Sequence, residues 1–146
     1  MKTYSGTIEK LNDNQIFVFG SNTEGRHGAG AAATAARLFG AKYGQAKGPQ
    51  GKSYAIVTKD LTKDKHPSVS KKEIVSQIKD LYFYAEKHPK LEFLIAYSGA
   101  GKNLNYYTPQ EMAEMFARPN IPTNIVFEKD FAEMVKKILT AQKSDV

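Results

Sequence analysis

With 146 residues, 41% of them hydrophobic and 25% charged, the chain suits one domain with its own core, and wholesale disorder is argued against. It has no cysteine, which rules out a disulfide framework, a thiolate nucleophile and cysteine-ligated zinc. The net charge of +6 is concentrated in the lysine-rich stretch from Lys42 to Lys72; it reads either as a field that gathers anions or as a solvated lysine surface.

Residues 5–10 read as a short opening strand, closed by the turn Asn12-Asp13-Asn14. The continuous apolar run Ile16-Phe17-Val18-Phe19 is the pattern of a strand buried on both faces. A polar, glycine-rich loop follows, and then an alanine-rich helix over 31–38 with Gly40 as its C-cap. Residues 44–52 read as an irregular loop and 54–58 as the next strand. Ser70 with Glu73 marks the start of a helix whose apolar stripe is Val75, Ile78, Tyr82 and Ala85, ending at His88-Pro89. Residues 93–96 form a third apolar run. Thr108-Pro109-Gln110-Glu111 combines an N-cap, a proline at the first helical position and a capping-box glutamate, opening a short helix to about Ala117. A fourth strand over 124–127 and a closing amphipathic helix carrying Phe131, Val135 and Ile138 complete the order. Strands alternating with helices predict a three-layer α/β/α sandwich with a mixed, mostly parallel sheet in a single domain, 1–146. No apolar run is long enough to span a bilayer and the N-terminus lacks a signal-peptide core, so a soluble, cytoplasmic protein is expected.

In such sheets ligands bind beyond the carboxyl ends of the strands, where loops converge. Two loops there have distinctive chemistry. The first runs from Gly20-Ser21-Asn22 through Gly25-Arg26-His27 to Gly28-Ala29-Gly30-Ala31-Ala32, and suits a pyrophosphate lying against a helix N-terminus. The alternative is a tight turn whose small residues serve helix–sheet packing. The second is Tyr97-Ser98-Gly99-Ala100-Gly101-Lys102-Asn103. It is not a P-loop, because Ala96 replaces the first glycine and Asn103 the magnesium-binding Ser or Thr. Nor do Gly28, Gly30 and Ala33 make a dinucleotide fingerprint, since the preceding loop is too long and no acidic residue ends the next strand. The expected ligand is a small, phosphate-bearing nucleotide.

Phe17-Val18-Phe19-Gly20-Ser21-Asn22, Gly25 to Ala32, Gly44-Gln45, residues 50–56, Ser98-Gly99-Ala100-Gly101 and the helix from Thr108 to Phe116 together resemble a family of short bacterial and phage proteins with macro-domain-like features. The resemblance covers most of the chain. Macro domains bind ADP-ribose and its derivatives, and some hydrolyse ADP-ribosyl bonds. The resemblance therefore implies that Gly28 to Ala31 contact the diphosphate or distal ribose, that Ser98 to Gly101 form a second phosphate-cradling turn, and that Asn22 orients a ribose. The third consecutive glycine of the first macro loop is missing, and Lys102-Asn103-Leu104-Asn105-Tyr106-Tyr107 replaces the short aromatic turn after the second. The acid by which macro domains recognise adenine has no clear counterpart in the sequence, Asp13 being the one candidate, so the resemblance leaves the base open.

The expected ligand-binding set is thus Gly20, Ser21, Asn22, Arg26, Gly28, Ala29, Gly30, Ala31, Ser98, Gly99, Ala100, Gly101, Lys102 and Tyr106. Asn22 equally fits an Asx-turn. Arg26 suits a charge-assisted phosphate contact, and Lys102 a steering role. Tyr106 or Tyr107 can stack on a base, the other belonging to the core. If the protein is a hydrolase of ADP-ribosyl or ADP-ribose-phosphate bonds, Asn22, Glu24 and His27 are the catalytic candidates, with a solvent-exposed loop histidine as the plain alternative for His27. A basic nucleic-acid-binding module is a third reading, disfavoured by the lack of aromatic–basic interleaving. His66 and His88 flank prolines without metal-ligand spacing, so neither a metal nor a cofactor is expected.

Overall fold

A computed structural model describes residues 1–99 and 106–144. The elements run β1 (Thr3–Tyr4), β2 (Gln15–Asn22), α1 (Gly30–Leu38), β3 (Gly48–Gln50), β4 (Ser53–Lys59), α2 (Lys71–Lys87), β5 (Glu92–Ile95), α3 (Pro109–Phe116), β6 (Ile125–Glu128) and α4 (Lys129–Ser144). The six strands make one sheet in the order β1-β6-β5-β2-β4-β3, parallel throughout except for the antiparallel β3–β4 pair.

Alternation along β2 explains the continuous apolar run. Phe17 and Phe19 point to one face, where they pack with Ala32 and Ala35 of α1, with Phe39 and with Ala55 of β4. Val18 points to the other face, into a larger core built with α2, α3 and α4 around Ile74, Ile78, Leu81, Phe116, Phe127 and Phe131. Helices therefore cover both faces, and β2 lies near the middle of the sheet with β5 on one side and β4 on the other. The sequence's reading of the α2 stripe is shifted. Ile74 and Leu81 are fully buried, and Val75 is only packed against the core's margin.

Two elements differ from expectation. Residues 5–10 are not a strand; the opening strand is β1, earlier in the chain. Thr3 and Tyr4 pair in parallel with Phe127 and Glu128 at the sheet edge. Gly6 then takes φ +77°, outside the extended region, and the chain leaves the ladder. Residues 44–52, expected to be irregular, contain the edge strand β3, joined to β4 by a tight turn at Gly51-Lys52. Gly48-Pro49 hid it from propensity; proline is compatible with a strand only where its missing N–H faces no partner, as at an edge. Among the described residues no helix is long and apolar enough to cross a membrane.

Candidate functional site

The carboxyl ends of β2, β4 and β5 lie side by side because the three strands are parallel neighbours. Above them opens a cavity of about 640 Å³. That is within the roughly 300–1,000 Å³ typical of small-molecule sites. Its walls come from Gly20, Ser21 and Asn22 ending β2, Thr58 and Lys59 ending β4, and Ala96, Tyr97 and Ser98 following β5. Gly6, Thr7 and Ile8 close one side, and Ala29 to Ala32 at the start of α1 another. The first glycine-rich connection and the opening residues of the second, Tyr97 and Ser98, thus meet at one cavity.

The first connection is held by its own side chains. Asn22 Oδ1 accepts from the backbone N–H of Glu24 (3.2 Å) and Arg26 (2.9 Å), while its Nδ2 donates to the Arg26 carbonyl (2.8 Å). Its side chain therefore serves the loop, as an Asx-turn would, although the residue also lines the cavity. Gly25, at φ +65°, lets the segment after α1 come close: the Gly44 N–H donates to the Gly25 carbonyl at 2.8 Å, and a Cβ on Gly25 would meet the Gly44 carbonyl carbon at 2.5 Å.

His27 is neither an exposed loop residue nor a cavity base. It is buried at 4% exposure, edge-on to Phe19, and absent from the cavity lining. Its Nε2 faces two acceptors, the Gln45 carbonyl (3.1 Å) and Gln50 Oε1 (3.2 Å). Gln50 Oε1 is fixed as an acceptor by the Lys42 N–H at 2.8 Å, so Nε2 carries the proton and the partnerless, buried Nδ1 is left bare. The Gly44-Gln45 and Gln50-Gly51 pieces of the sequence motif thus brace the first loop from behind.

The start of α1 differs from those of the other helices. Its N-cap is Ala29, in extended conformation (φ −151°, ψ 159°), which supplies no capping side chain, and its first turn has no acidic residue. The first-turn residues Gly30, Ala31 and Ala32 face the cavity. By contrast, Ser70 caps α2 by accepting from the Glu73 N–H at 3.1 Å, and Thr108 and Glu111 form a reciprocal capping box on α3. The amides that open α1 present donors and a positive dipole end to whatever occupies the cavity.

Among the described residues, the charged side chains lining the cavity are Arg26 and Lys59, both cations. Glu24 does not line it. Its carboxylate pairs with Arg26 at 3.3 Å, with both side chains largely exposed. Lys59 Nζ also sits 5.5 Å from the ring centre of Tyr106, which stacks on His66 with centroids 4.8 Å apart and holds a left-handed φ of +69°. Tyr106 lies outside the lining, whereas Tyr107 is a core residue whose hydroxyl donates to the Val69 carbonyl at 2.6 Å. On the cavity wall, burial and the nearby Glu128 hold the Tyr4 phenol above its ordinary pKa, and its hydroxyl donates to the Ile95 carbonyl at 2.6 Å. Burial, then Glu128 and Asp130, raise Tyr97 in the same way.

Of the residues the sequence nominated, Gly20, Ser21, Asn22, Arg26, Ala29, Gly30, Ala31 and Ser98 line the cavity. Glu24, His27, Gly28, Gly99 and Tyr106 do not, and Ala100, Gly101 and Lys102 lie outside the described residues. Asp13 is misplaced: it precedes β2 at the amino end of the strand, about 25 Å from the cavity end of an eight-residue strand. Sequence reasoning missed Lys59, Thr58, Thr7 and Tyr4. The signal for Lys59 was its place at the carboxyl end of a predicted strand beside β2. Among the described residues no group of three or more His, Asp or Glu could hold a metal ion. No protein family, curated protein or solved structure matches the chain.

Proposed function

We propose that the protein binds a phosphate-bearing nucleotide of the ADP-ribose type, with its phosphates against the start of α1. The observation that carries the reading is the meeting at one cavity of an uncapped helix N-terminus, free of acid in its first turn, with Arg26 and Lys59 as the charged groups of the lining among the described residues. Backbone amides and two cations suit an anion and need no catalytic side chain. The macro-domain-like resemblance of the two loops narrows the anion to an ADP-ribose-like molecule, held in a domain of that type.

Binding is favoured over hydrolysis by what the three candidate catalysts do. Asn22 is engaged within its loop, Glu24 pairs with Arg26, and His27 is turned away from the cavity into a buried bracket with Gln45 and Gln50. A general base needs hydrogen-bond reach to the water or hydroxyl it activates. Calorimetry with ADP-ribose, ADP and adenosine tests the proposal. ADP-ribose and ADP are expected to bind and adenosine not to, with Lys59→Ala weakening both by about fivefold, the value of one partly exposed phosphate contact. Equal binding of adenosine would overturn it, and release of product from ADP-ribosylated protein or ADP-ribose phosphates would replace binding with hydrolysis.

A further inference from the structure

The two cations of the cavity wall are held in different ways. Arg26 pairs with the Glu24 carboxylate at 3.3 Å. Lys59, partly buried where β4 ends, has an aromatic ring beside it: its Nζ lies 5.5 Å from the centre of Tyr106, and among the described residues no carboxylate forms an ion pair with it. On the anion-binding reading above, we propose that Tyr106 is a positioning residue: its ring holds the Lys59 ammonium at the cavity and leaves the charge available to the phosphates of the ligand.

A carboxylate holds a cation by neutralising it and by taking up its N–H donors. An aromatic face attracts the cation through the ring quadrupole, so the ammonium is localised while its net charge remains. Both sides of the Lys59–Tyr106 contact are fixed by their surroundings. The Lys59 carbonyl accepts the Thr23 N–H at 3.0 Å, which ties the lysine to the first glycine-rich connection. The next residue, Asp60, donates its N–H to Ser68 Oγ at 2.8 Å, and His66 Nδ1 lies 2.8 Å from the same hydroxyl. The segment after β4 thus turns back and sets the His66 ring against Tyr106, with centroids 4.8 Å and planes 12° apart. Tyr106 itself holds φ +69°, a region that residues other than Gly, Asn and Asp seldom enter. Its side chain is 41% exposed, so core burial does not account for a large residue kept in that conformation, and a use for the ring does.

The test is a double-mutant cycle on the full chain, read by calorimetry with ADP-ribose at fixed salt. Tyr106→Asn removes the ring but suits the left-handed backbone, and it is expected to weaken binding about threefold, the value of a cation–π contact at a partly exposed site. Tyr106→Phe keeps the ring and should bind as the wild type does. In a Lys59→Ala background Tyr106→Asn should have no further effect, because the residue acts only through the lysine. A loss that persists in that background would mean that the ring touches the ligand itself. That result, no loss from Tyr106→Asn, or a Tyr106→Phe variant as weak as Tyr106→Asn would each overturn the positioning role and leave the anion site standing. Failure of the wild type to bind ADP-ribose would overturn the anion site and this inference with it.

Discussion

The N-termini of α1 and α3 are built on opposite plans. Thr108 and Glu111 close the start of α3 reciprocally, Pro109 occupies a position where no N–H is needed, and Lys71 adds an ion pair to Glu111 at 3.3 Å. Every feature there satisfies the helix from within the protein. The start of α1 has alanine where the cap should be, no acid in its first turn, and Gly30 at φ +56° in its first position. It forgoes about 0.5–2 kcal/mol that a capping side chain commonly contributes. The proposed function rests on this difference: a helix end that stabilises itself needs no ligand, whereas one left open against a cavity lined by Arg26 and Lys59 suits an anion.

The most direct way to break the contrast is to convert α1 to the α3 plan. Ala29 already has the extended backbone of an N-cap, so Ala29→Asp should cap the helix and raise the melting temperature while placing a negative charge where the proposed phosphate would lie. ADP-ribose affinity is expected to fall at least about thirtyfold, since donors are lost and repulsion is added. A variant that is more stable and binds equally well would show that the open end is not the anion site. Gly30→Val is a poorer probe, because a β-branched residue at its positive φ would strain the fold as well as the site.

The converse change is Thr108→Ala, which opens α3. It should cost about 1 kcal/mol in denaturant unfolding and leave ADP-ribose affinity unchanged; a loss of affinity would mean that the two ends are coupled. A smaller effect comes from Glu24. Because it pairs with Arg26, Glu24→Gln should free the guanidinium and tighten ADP-ribose binding about twofold, as expected of an exposed ion pair. Weaker binding would give Glu24 a direct role with the ligand.

The smallest effect concerns pH. The Thr108 backbone N–H, with Lys71 contributing, holds Glu111 below its ordinary value of 4.5. Its contribution to stability is therefore complete above that value and fades as pH falls through the depressed folded value. Melting temperatures followed from neutral into acid should fall less for Glu111→Gln than for the wild type across that window. Identical curves would remove the capping box from the account.

Features that depend on near neighbours in the chain were legible. The capping box of α3, the Ser70 cap of α2, the glycine after α1 and the doubly buried run of β2 involve residues a few positions apart. So did the assignment of Tyr107 or Tyr106 to the core, which fell to Tyr107. Legibility failed where a residue's partner is distant. His27 reads as a loop histidine until Gln45 and Gln50 are folded around it. Residues 5–10 have strand propensity, but the chain leaves the sheet at Gly6, and Gly6, Thr7 and Ile8 wall the cavity instead.

The sequence alone determined an alternating α/β order, the helix starts and the two glycine-rich connections, because each is encoded in local spacing and backbone preference. Tertiary structure decided that the first connection shares one cavity with Tyr97 and Ser98 of the second, that Lys59 joins Arg26 there, and that His27 is drawn behind the loop. The physical reason is that parallel pairing of β2 with β4 and β5 aligns strand ends from three separate stretches of chain, and contact across a sheet depends on register and strand order rather than on distance along the sequence.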